Sequence, residues 1–141
     1  MKRAGSAVWQ GDLKTGKGTV STESGVLSQT QYSFSTRFEN GKGTNPEELV
    51  AAAHAGCFSM ALSAQLGEAG LAPEKVETTA TVTFDKTEAG WTVTGVHLNV
   101  KGKVPKADEA AWNKATQAAK AGCPISRLLN TTITMDAKLE H

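Results

Sequence analysis

A chain of 141 residues, 39% hydrophobic and 21% charged, has the length of one domain and the composition of a folded protein. A formal net charge of +1, with basic residues such as Lys14, Lys17 and Lys42 scattered, excludes the footprint of a nucleic-acid or anionic-membrane binder. Met1 to Trp9 lacks the apolar run of a secretory leader, and no segment reaches the ~18 consecutive apolar residues of a spanning helix. A cytoplasmic protein with a single domain over residues 1–141 is therefore expected. In that compartment Cys57 and Cys123 stay reduced unless their oxidation is transient and catalytic.

The first third reads as strands, over Lys2–Trp9, Gly16–Ser21 and Gln31–Phe38. In the last of these Tyr32, Phe34, Thr36 and Phe38 alternate with polar residues. Gly41, Gly43 and Asn45 mark a loop. Asn45 then suits an N-cap, Pro46 the first helical position and Glu48 the acid of a capping box. The helix that follows, Leu49–Leu66, is apolar nearly all round and should lie in the middle of the structure. Lys75–Asp85 and Trp91–Val104 form a hairpin, turned at Glu88-Ala89-Gly90; the alternation of the second arm is less clean. Ala107–Ala121 reads as an amphipathic helix stopped by Gly122, Pro124–Leu129 as a short helix, and Thr131–Leu139 as a last strand. Leu139-Glu140-His141 resembles the start of a cloning tag, so His141 is given no role. The class is α+β. Three short strands leave edges that must be paired or covered, which favours a dimer.

Few residues offer chemistry. Cys57 sits midway along the central helix, where a thiol reads first as a small buried hydrophobe, kept protonated unless a cation reaches it. Cys123 precedes Pro124 at a helix start, where backbone N–H groups favour a thiolate. Arg37, between Phe34 and Phe38, needs an anionic partner or an exit to water. Glu47, in the first turn of the helix, is either such a partner or simple compensation of the helix dipole. Ten residues of helix separate Glu47 from Cys57, about 15 Å, so one site holding both requires a bridging arginine or a second subunit. His54 shares a helix face with Cys57 and reads as a satisfied core or interface histidine; His97 has no evident partner. No closely paired Cys or His ligands, phosphate-binding glycine loop or G-x-S-x-G elbow occurs, so neither metal nor cofactor is expected.

Four segments, read together, carry a resemblance. They are Thr36-Arg37-Phe38-Glu39, Gly43-Thr44-Asn45-Pro46-Glu47-Glu48-Leu49, the run from Ala52 through Cys57 to Leu62, and the run from Ala119 through Cys123 to Ser126. In these the chain resembles the osmotically inducible protein C (OsmC) family of hydroperoxide reductases. The resemblance implies antiparallel sheets enclosing a buried central helix, in an intertwined homodimer with two sites at the interface. It implies a stress-response peroxidase that reduces organic hydroperoxides and hydrogen peroxide, with Cys57 as the peroxidatic thiol and Cys123 as the resolving one. Arg37 and Glu47 match the family's activating pair. Phe38, Phe58, Met60 and Leu129 would line the entry for an alkyl chain, and an external dithiol of the lipoyl type would restore both thiols. The sister group specialised for organic hydroperoxide resistance places its arginine in an earlier loop. Here that loop, Thr15-Gly16-Lys17-Gly18, holds none, so the OsmC branch fits better. Two other readings use the same residues. One is a dithiol redox sensor or small-molecule binder without turnover; the other is a structural dimer whose cysteines merely pack.

Overall fold

A computed structural model describes residues 1–141, which divide into two units, Met1–Leu49 and Val50–His141. In the first, strands β1 (Gly5–Gln10), β2 (Lys17–Thr22) and β3 (Thr30–Tyr32) form an antiparallel sheet in that order. Trp9 and Tyr32 close over Gly18 of β2, their ring centroids 5.4 Å apart, where a side chain on the glycine would collide with both rings. The strand expected over Gln31–Phe38 ends at Tyr32, and Phe34–Phe38 is a helical turn, α1. A capping box overrides the alternation. The Ser33 hydroxyl accepts from the Thr36 N–H, and the Thr36 hydroxyl accepts from the Ser33 N–H. Phe34 and Phe38 then meet four residues apart on one helix face, with centroids 4.8 Å apart.

Helix α2 (Pro46–Glu68) begins in the first unit and runs on into the second. Asn45 caps it as expected, its Oδ1 accepting from the Glu48 N–H at 2.8 Å. In the second unit β4 (Lys75–Thr87) and β5 (Gly90–Lys103) form the hairpin. A bulge places Thr94 between the Thr83–Gly95 and Phe84–Val93 pairs. That extra residue shifts the inward face from Val93 to Val96, Leu98 and Val100, which explains the uneven alternation of this arm.

Helix α3 (Glu109–Gly122) follows its N-cap Asp108, so its first helical residue lies two beyond the expected start. Helix α4 (Pro124–Leu128) follows, and then β6 (Thr132–Glu140). Strand β6 pairs with β5 in parallel, so the second sheet is mixed and not antiparallel as expected. The α3–α4 crossover returns the chain in the direction of β5, which a tight turn cannot do. Leu139, the expected end of the last strand, pairs with Gly102 and is buried.

The core gathers Phe58, Leu62 and Leu66 of α2 with Val96, Leu98 and Val100 of β5 and Trp112 of α3. Gly102 leaves the space that the Trp112 ring fills. By length and mean hydropathy α2 would suffice to cross a membrane. Its buried residues, His54, Phe58, Leu62 and Leu66, recur every fourth position and form one stripe. Ala53, Gly56, Met60 and Ala64 remain exposed, so within one chain the helix is buried along a single face and not on all sides as expected. The architecture is α+β with two three-stranded sheets.

Candidate active site

The first unit holds a charged pair. Arg37 ends α1 and Glu47 lies in the first turn of α2; the guanidinium Nη2 donates to Oε1 at 2.8 Å, and Nε donates to Oε1 and Oε2 at 3.1 and 3.2 Å. The Glu47 side chain is 13% exposed and that of Arg37 36%, so one edge of the guanidinium is fixed while part of it stays open. Asn45 sets this geometry. Its carbonyl oxygen caps α2 while its Nδ2 donates to the Thr36 carbonyl at 3.1 Å, tying the end of α1 to the start of α2. The sequence marks Asn45 as a cap, but not as this clamp, because the second bond depends on α1. Arg37 also stands 5.4 Å from the Phe38 ring centre and lines a cavity of about 220 Å³ with Trp9, Leu13, Tyr32, Phe34 and Phe38. Of these walls, only Phe38 is among the residues expected to line an entry, while Phe34 is expected beside Arg37. Trp9, Leu13 and Tyr32 come from β1, the loop after it and β3, which the sheet register draws together, and Phe34 comes from α1.

The second unit holds the thiols. Half-buried Cys57 on α2 and buried Cys123, the residue capping α4, have their sulfurs 3.0 Å apart. Burial and the hydrogen bond to Cys123 push the Cys57 thiol up. Burial acts upward on Cys123 too. There it is outweighed by the Cys57 hydrogen bond, by the Ser126 N–H and hydroxyl and by the Ile125 N–H, which leave this thiol below its ordinary value. No formal side-chain capping bond closes at Cys123, so the N–H groups of α4 act on its sulfur as an electrostatic cradle. Within this unit the surroundings thus favour the protonated form of Cys57 and ease deprotonation of Cys123.

Phe58 packs wholly inside the core and offers no surface to a ligand, whereas Met60, two positions on, is 76% exposed. Leu129 is half-buried against the core. The four residues expected to line an entry are thus not gathered in one place within either unit. His54 is buried beside the thiols, its Nε2 lying 2.7 Å from the Ser126 hydroxyl, and burial lowers its pKa. His97 has two partners the sequence did not disclose, Asp136 at 3.1 Å and Thr134 at 2.6 Å, both supplied by the parallel strand β6.

The second unit thus carries two free thiols in contact, and the first an arginine fixed by a glutamate, on an α+β frame. Residues 39–138 match the family model described as OsmC-like protein. Peroxiredoxin OsmC of Escherichia coli (strain K12) is 55% identical over 138 residues, 98% of this chain and 96% of that protein. The organic hydroperoxide resistance protein OhrB of Bacillus subtilis (strain 168) is 31% identical over 124 residues, 87% of this chain and 88% of that one. A solved OsmC-like protein from Mycoplasma pneumoniae superposes with a TM-score of 0.78 at 16% identity, covering 100% of this chain and 99% of its own. The chain belongs to the OsmC family.

Proposed function

We propose that the protein is a thiol-dependent peroxidase in which Cys57 is oxidised by a hydroperoxide and Cys123 resolves it. The carrying observation is the 3.0 Å approach of the two sulfurs, well inside the reach of disulfide formation. Cys57 left to its own surroundings keeps its proton. Arg37, held by Glu47, is the cation that reverses this by a charge-assisted hydrogen bond to the thiolate. The thiolate attacks the terminal peroxide oxygen, the O–O bond breaks, and an alcohol or water leaves while Cys57 becomes a sulfenic acid. Cys123 condenses with it to a disulfide, and an external dithiol of the lipoyl type returns two electrons.

The functional form is an intertwined homodimer of one OsmC-like domain per chain, soluble and cytoplasmic. The exposed small-residue face of α2 and the open edges of both sheets supply surfaces for a second copy. Organic hydroperoxides and hydrogen peroxide are the substrates. Phe38, which lies with Arg37 on the apolar cavity, and Met60 and Leu129 are the residues for an alkyl group.

The test is consumption of cumene hydroperoxide and of hydrogen peroxide by purified protein with a dithiol, repeated with Cys57→Ser. Turnover by the wild type and its loss in the variant are expected. Full turnover without Cys57 would remove the assigned nucleophile. Stoichiometric oxidation that never turns over with any dithiol would indicate a sensor instead.

A further inference from the structure

We propose that His54 and Ser126 form a strut that positions Cys123 for resolution, by fastening α4 to α2 beside the dithiol and turning the Ser126 hydroxyl toward the Cys123 sulfur. The inference rests on the peroxidase reading above and adds residues outside its catalytic set. His54 lies three residues before Cys57, and Ser126 three residues after Cys123. The 2.7 Å bond between them therefore joins the two elements that carry the thiols.

A polar ring placed wholly in the interior costs free energy unless its bonds are worth keeping. The Ser126 bond is the one it makes, since Nδ1 is buried without a partner. A bare ring nitrogen is a milder loss in the interior than an orphaned N–H, which places the proton on Nε2. Nε2–H then donates to Ser126 Oγ, whose own hydrogen is free to donate elsewhere. Ser126 is itself buried in the first turn of α4, and its hydroxyl acts on the Cys123 sulfur in the sense that favours a thiolate. Burial keeps the imidazole neutral, so it contributes direction and not charge.

Two steps would use the strut. In resolution the Cys123 sulfur attacks the sulfenic sulfur of Cys57; the S–S bond forms, the S–O bond breaks, and the hydroxyl leaves as water with the Cys123 proton. In regeneration a thiolate of the external dithiol attacks Cys57. Cys123 leaves as a thiolate that accepts from the Ser126 hydroxyl, the two electrons coming from that dithiol.

The experiment mixes reduced protein with one equivalent of cumene hydroperoxide and follows disulfide formation by mass under non-reducing conditions. Sulfinic acid at Cys57 is then measured under excess peroxide. Losing one such hydrogen bond should slow disulfide formation roughly tenfold in Ser126→Ala and raise the sulfinic fraction. His54→Phe should match it, the double variant should be no slower than either single one, and His54→Gln should restore the rate. Should His54→Phe fail to fold, Ser126→Ala decides alone. Wild-type resolution in a folded Ser126→Ala protein, or additive losses in the double variant, would overturn the strut. If the wild type forms no disulfide, the peroxidase reading fails along with it, and the two failures are thus distinguishable.

Discussion

The two units keep their shapes by different means. Every buried hydrophobic residue of the chain, from Phe58 to Leu139, belongs to the second, where α2, β5 and α3 close on Trp112 and Leu98. In the first, the buried side chains are those of Thr36 and Thr44, and order comes from the β ladder, the Ser33–Thr36 capping box and the Asn45 clamp. The division extends to the chemistry. The second unit holds two thiols in a setting that favours the protonated form of Cys57, and the first holds a cation fixed by its carboxylate. A polar frame suits a charged pair because guanidinium and carboxylate need directed bonds more than area. An apolar frame suits thiols, whose reactivity is then governed by the few polar groups admitted near them.

The sharpest test of that contrast is stability. Trp112→Ala removes the largest buried side chain and should cost about 3–5 kcal/mol in urea unfolding. Asn45→Ala removes a cap and the Thr36 clamp and should cost only about 1 kcal/mol. Equal losses would mean that two directed bonds hold the first unit as strongly as packing holds the second.

Next in size is an effect on rate. Arg37→Ala should leave the urea midpoint nearly unmoved, yet reduce peroxide consumption by roughly 10- to 100-fold, the worth of a charge-assisted hydrogen bond to the thiolate. Arg37→Lys should recover only part of that, because a lysine brings charge without the paired Nε and Nη2 donors that Glu47 grips. Unchanged consumption in Arg37→Ala would sever the link between the charged pair and the thiols.

What the sequence disclosed follows the same division. The second unit was legible because long periodic segments advertise themselves. The length of α2, the β4–β5 hairpin with its uneven second arm, and the helix ended by Gly122 all stand in the pattern of apolar residues, whereas the single buried stripe of α2 does not, because its other faces are rich in alanine too. The two cysteine contexts were legible as well. The first unit was read less well because its elements are short. Tyr32, Phe34, Thr36 and Phe38 satisfy a strand period and a helical i, i+4 pair equally, and only the Ser33–Thr36 bonds decide between them. The parallel setting of β6 was not legible, since local pattern fixes a strand but not its direction relative to β5. The partners of His97 were hidden for the same reason: Thr134 and Asp136 reach it only in that register.

The smallest expected effect is acid sensitivity, and it too separates the units. All three histidines, His54, His97 and His141, lie in the second. Burial holds the folded pKa of His54 below its ordinary 6.5, so under acid the unfolded chain binds a proton that the folded one refuses. Stability from this group is therefore complete above about pH 6.5 and falls as pH drops, by at most ~1.4 kcal/mol per pH unit until the folded ring itself titrates. Urea unfolding between about pH 7 and pH 5 should show that decline, and His54→Gln should flatten it, because glutamine cannot take the proton. Probes read separately, a tryptophan in each unit, would localise it: Trp112 should report the loss before Trp9. A decline of equal slope in His54→Gln would assign the acid sensitivity to other groups and leave the buried imidazole without a part in it.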